Sequence, residues 1–192
     1  MKTKLITGPT IEPVTLDDAK NHLRIDTTDE HTYIMDLVAS ARRLIELHSG
    51  RRFITQTWEL ALDKFPSGNA IALPYPPLQS VTSVTYYDTD DSDATFSSDD
   101  YYVDTYAEPG ALALNYGESW PNTTLRPTNG IIVKYIVGYG DAETDVPEMY
   151  KQAIKILAAE LYERREATDF RQFYELPWSV RQLIGYERIW HV

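Results

Sequence analysis

Residues able to do chemistry are plentiful in this chain, but one spacing alone approaches a known binding loop. Asp88, Asp90 and Ser92 occupy the first, third and fifth positions of a calcium-loop spacing, with Asp99 at the twelfth. Such a loop normally carries glycine at its sixth position and a bidentate glutamate at its twelfth. The sixth residue here is Asp93, and an aspartate at the twelfth is too short. A solvated turn between strands is the better interpretation, so no metal site is predicted.

Patterns of catalytic residues are missing from the sequence. The four histidines are scattered without ligand spacing, no serine has a nucleophile-elbow context, and there is no glycine-rich phosphate loop. The absence of cysteine excludes disulfides, thiol nucleophiles and thiolate metal sites. Two carboxylates could in principle form the acid–base pair of a hydrolase, but nothing in the sequence selects a pair. We therefore predict a protein that is not an enzyme and needs no cofactor.

Aromatic side chains are a further candidate for a binding site, because they could line a carbohydrate groove. The residues concerned are Trp58, Tyr75, Tyr86, Tyr87, Tyr101, Tyr102 and Trp120. In a small sheet such residues more often pack the sheet itself. A sugar-binding β module would be expected to bind glycans without the helices and to expose aromatic residues such as Trp120.

The composition is that of an acidic folded protein. The chain has 192 residues, of which 43% are hydrophobic and 24% charged, and a net charge of -11. Such a charge repels phosphate and disfavours general nucleic-acid binding. No apolar run approaches the ~20 residues of a membrane span, and the N-terminus lacks the apolar run of a signal peptide. We expect a soluble product made in the cytoplasm.

Two helices are predicted before the strands. Thr15 can accept a hydrogen bond from the Asp18 amide and cap a short helix over residues 16–24. A longer helix is predicted over residues 28–49, with Gly50 as its left-handed end. Further helices are predicted after the strands, over residues 147–165 and from Pro177 onwards.

The two long helices are expected to pack through apolar stripes. The helix-packing residues are Ile34, Leu37, Val38, Ala41, Leu44, Ile154, Leu157 and Leu161. The opposite face of the first long helix carries charges that are expected to face solvent, among them Arg42, Arg43 and Glu46. An aspartate at position 37 or 44 is accordingly expected to unfold the helical part.

The middle of the chain alternates apolar and polar residues, which predicts antiparallel strands. These strands are predicted over residues 54–62, 70–73, 79–87, 100–104, 111–115 and 130–139. The last is the most apolar and is expected to be central. The predicted fold class is α+β: a helical bundle (residues 1–52 and 141–192) with an inserted antiparallel β domain (residues 53–140) of sandwich or barrel-like form.

Several strings, taken together with the order of helix, sheet and helix, give the chain a family resemblance. They are residues 12–24, 50–58, 73–84, 138–140 ahead of Pro147, and 176–183. The chain resembles, over nearly its entire length, the head-to-tail connector (adaptor) proteins of tailed bacteriophages. Each string alone consists mostly of packing and turn residues, whereas the set is fairly specific.

The resemblance implies a structural role in the neck of a virion. Such adaptors form a ring, usually of twelve copies, beneath the portal protein, where they extend the DNA channel and present a platform for the stopper or tail. The long helices would form the ring body. Double-stranded DNA would pass through the lumen without specific binding, which suits an acidic chain. The alternative is a carbohydrate- or receptor-binding β module of a phage tail.

The resemblance also implies that the C-terminal segment, residues 176–192, reaches the portal. The residues expected to dock are Trp178, Val180, Arg181, Leu183, Ile184, Arg188, Ile189 and Trp190. Tryptophans are common interface anchors, and the arginines could pair with acidic partner residues at the rim. Deletion of residues 176–192 is then expected to leave a folded, soluble protein that no longer attaches to the portal. Folding of this segment onto the subunit's own helices is the competing hypothesis.

Overall fold

The computed structural model describes residues 2–164 and 176–185, which fall into two compact units. The sheet unit comprises Met1–Pro9 and Thr55–Tyr139, and the helical unit comprises Thr10–Ile54 and the described part of Gly140–Val192. The prediction had assigned residues 1–9 to the helical part. Pairing of the first strand with the second places them in the sheet unit instead.

Two antiparallel sheets make up the described sheet unit. The strands are β1 (Lys2–Thr7), β2 (Gln56–Leu62), β3 (Ala70–Ala72), β4 (Leu78–Tyr87), β5 (Asp93–Phe96), β6 (Tyr101–Asp104), β7 (Ala111–Leu114) and β8 (Ile131–Val137). Five strands form one sheet in the order β1-β2-β8-β4-β5, and three form the other in the order β3-β7-β6. The described strands close no barrel, since β1 and β5 remain the edges of the larger sheet.

The core of the sheet unit is apolar and draws on both sheets. Strand β8 lies between β2 and β4, and every second residue from Ile131 to Val137 is buried, so the predicted central strand is confirmed. Leu60 and Val84 of the larger sheet share one cluster with Leu112 of the smaller sheet. Burial of alternate residues on each strand is what a half-covered antiparallel sheet requires.

Four α-helices are found among the described residues of the helical unit: α1 (Leu16–Leu23), α2 (His31–Ser49), α3 (Glu148–Glu163) and α4 (Trp178–Gly185). The predicted caps are confirmed, because Thr15 Oγ1 accepts from the Asp18 amide at 3.1 Å and Gly50 has φ 74°. Helix α2 begins at His31 rather than residue 28. Helix α3 packs against the other three helices, and the α+β class is confirmed.

The buried face of α2 differs from the predicted one. Ile34, Val38 and Ala41 are buried as predicted, but Leu44 is 38% exposed and Leu37 only half-buried. The predicted apolar set spanned a wide arc of the helix, and these two leucines lie at its outer margin.

Two charged residues also lie on the buried side of α2. Arg42 and Glu46, which were expected to face solvent, are only 4% and 5% exposed. They can be buried because each has an oppositely charged partner, a relation that apolar periodicity does not reveal.

Candidate functional site

A buried ion-pair cluster joins three parts of the helical unit. Arg42 Nε and Nη2 donate to the two carboxylate oxygens of Glu12 at 2.6 and 3.1 Å, and Arg42 Nη1 donates to Glu46 Oε2 at 2.8 Å. The other Glu46 oxygen accepts from the Phe53 amide at 3.0 Å. The cluster therefore ties the segment before α1 and the segment after α2 to the middle of α2.

The electrostatics of this cluster suit a structural role. Burial raises the pKa of Glu46, although Arg42 and the Phe53 amide oppose the rise. Burial would lower the pKa of Arg42, but its hydrogen bond to Glu12 and the nearby carboxylates outweigh that effect and raise it. A buried carboxylate with a raised pKa can signal a catalytic group. Both carboxylate oxygens of Glu46, however, already accept hydrogen bonds from Arg42 and from the Phe53 amide. The arrangement therefore stabilises the fold of the helical unit.

The loop after β4 is a hydrogen-bonded turn. Asp88 Oδ1 accepts from the amides of Asp90 and Ser92 at 2.9 and 3.0 Å. Asp91 pairs with Arg126 Nη1 at 2.6 Å. Asp88 thus caps the loop in which the calcium-like spacing occurs, as the turn interpretation expects. Within residues 2–164 and 176–185, no group of three or more metal-ligating side chains is placed to hold an ion.

The aromatic residues of the sheet unit mostly pack against one another. Trp58 and Tyr75 have ring centroids 4.5 Å apart, and Trp120 stacks on Phe65 at 5.2 Å. The Trp120 indole also donates to the Gly68 carbonyl at 2.8 Å. A sugar-binding groove would leave such rings open to ligand, so this packing favours the structural interpretation of the aromatics.

The residues of helix α4 that were predicted to dock on the portal lie on two different sides of the helix. Val180 and Ile184 are buried, since α4 packs on α2 and α3, whereas Trp178 is 72% exposed. Arg181 is also exposed and Leu183 is half-buried. The predicted residues therefore do not form a single docking face. The side of α4 that carries Val180 and Ile184 packs on the subunit's own helices, as the competing hypothesis for this segment had stated.

The end of the predicted docking set lies outside the described residues, namely Arg188, Ile189 and Trp190. The burial of α4 nevertheless changes the expected result of deleting residues 176–192. Removing Val180 and Ile184 would uncover apolar surface of the helical unit, so the truncated protein should be less stable than was predicted.

Sequence reasoning missed two features of the helical unit. Glu12 was not recognised as an ion-pair partner, because its distance along the chain from Arg42 hides their proximity. Leu47 is the most exposed leucine of α2, at 72%, and was not singled out. A signal for it exists, since Leu47 follows Leu44 and Leu37 at heptad spacing.

None of the described helices is both long enough and apolar enough to cross a membrane. A comparison with curated protein sequences gives no match.

The fold is similar to that of chains from the necks and virions of phage-like particles. One chain, from the neck of an empty gene transfer agent particle computed with C6 symmetry, is 21% identical; the match covers 100% of this chain and 97% of that chain with a TM-score of 0.82. A chain from a native particle's virion is 20% identical, with the same coverage and a TM-score of 0.81. A chain from a native neck computed with C12 symmetry is 21% identical, with the same coverage and a TM-score of 0.79.

A family model provides the sequence-level comparison. Residues 13–110, about half of the chain, match the model described as phage gp6-like head-tail connector protein. The matched stretch runs from the segment before α1 to the turn that follows β6. This chain belongs to the phage gp6-like head-tail connector family.

Proposed function

We propose that this protein is a structural adaptor in the neck of a tailed phage or phage-like particle, joining the head to the tail or to a stopper protein. The observation that carries the proposal is the family match over residues 13–110. Likeness of fold over the whole chain to neck and virion proteins supports it. The protein would be synthesised in the host cytoplasm and built into the virion.

The adaptor forms a ring beneath the portal, most simply of twelve copies. Similar chains come from necks computed with C12 and C6 symmetry, which supports a cyclic arrangement here. A ring requires each copy to present two different surfaces that fit one another and close. Its lumen would extend the DNA channel, and the net charge of -11 would keep the duplex from adhering to the protein.

Contact with the portal is made by the exposed side of α4 and by the residues that follow it. Trp178 projects from a helix whose other side is already packed, so α4 can present it without unfolding. Arg181 lies three residues further along, where it can reach acidic groups on a partner. Arg188, Ile189 and Trp190 belong to the same proposed contact.

The protein acts without catalysis in this proposal. The carboxylate whose pKa burial raises, Glu46, is held by Arg42 and the Phe53 amide. A hydrolase would instead require a carboxylate of raised pKa in a pocket that a substrate could enter.

Co-sedimentation with DNA-filled, tailless heads tests the proposal. The wild-type protein is expected to sediment with the heads, and Trp178→Ala to bind more weakly while remaining folded. Tyr116→Ala is the matched control, because Tyr116 is an exposed aromatic of the sheet unit. A wild-type protein that stays in the supernatant would contradict the adaptor function. Equal binding by Trp178→Ala and the control would contradict the α4 contact alone.

A further inference from the structure

We draw no further inference here: the strongest candidate, the outer face of the smaller sheet, on which Ala70, Ala72, Ala111 and Ala113 lie beside the exposed Tyr102, is a surface of small residues, and nothing in the structure shows what covers it.

Discussion

The two units of this protein differ in what they bury. The buried cluster that draws on both sheets of the sheet unit is apolar and aromatic, as on strand β8. The helical unit buries Arg42 and Glu46 in the middle of α2 and leaves leucines of the same helix exposed. Gln56 is the buried polar side chain among the described residues of the sheet unit, and it carries no charge. The buried face of α2 is also mainly apolar, but it includes a pair of opposite charges.

The largest expected effect comes from placing a charge on the buried face of α2. Val38 is fully buried, so Val38→Asp should lower the free energy of unfolding by about 4–5 kcal/mol, since the new carboxylate has no partner. Leu44→Asp is the matched control and should change it by about 0.5 kcal/mol. Urea denaturation measures both. Equal losses would show that α2 has one broad buried face, as the sequence had predicted.

Removing the central arginine tests whether charge pairing holds the helical unit together. Arg42→Ala removes the cation that pairs with both Glu12 and Glu46 and should destabilise the protein by about 3–5 kcal/mol. Arg43→Ala changes an exposed neighbour and should alter the free energy of unfolding by about 0.5 kcal/mol or less. If the two variants denatured at the same urea concentration, the cluster would not be a stabilising element.

The terminal helix provides a test with two independent measurements. Ile184→Ala removes a buried side chain and should cost about 2–5 kcal/mol of stability. Trp178→Ala should leave the thermal midpoint almost unchanged while weakening attachment to heads, because this ring is exposed. If Trp178→Ala lowered the thermal midpoint strongly and Ile184→Ala left it unchanged, the assignment of the buried and exposed sides of α4 would be reversed.

The smallest expected effect concerns an exposed carboxylate of the sheet unit. The Asn129 amide, 2.8 Å from Asp63 Oδ1, and Lys2 Nζ, at 3.3 Å, lower the pKa of Asp63. A pKa that is lower in the folded than in the unfolded chain gives stability above the unfolded value, lost as pH falls through the folded value. Lys2→Ala should raise the pKa of Asp63 in an NMR titration, and Lys4→Ala should leave it unchanged. If the pKa of Asp63 were the same in Lys2→Ala as in the wild type, Lys2 would not be a cause of the lowered pKa.

Local signals in the sequence were sufficient for much of the fold. Residues 130–139 were predicted to be central because they form the most apolar of the predicted strands, and β8 is the middle strand. Thr15 was predicted to cap the start of a helix through its hydroxyl group, and Gly50 to end one in a left-handed conformation; both predictions are confirmed. These signals act over a few residues, so no knowledge of distant partners is needed to read them.

Features that depend on distant partners could not be predicted in this way. The burial of Arg42 depends on Glu12, thirty positions earlier in the chain. Strand β1 depends on pairing with β2, more than fifty residues later. For α4, apolar composition predicted a contact but not that Val180 and Ile184 would turn to the subunit and Trp178 away from it. Helical spacing alone does not say which partner each side will have.

The mass of the protein bound to its portal tests the adaptor function most directly. Native mass spectrometry of a mixture of purified protein and portal rings should show one complex that carries multiple copies of this chain, twelve in the simplest ring. Mass of the protein alone is not decisive, because the ring can form on docking. A portal ring whose mass stays unchanged with the folded protein in excess would contradict the proposed adaptor function.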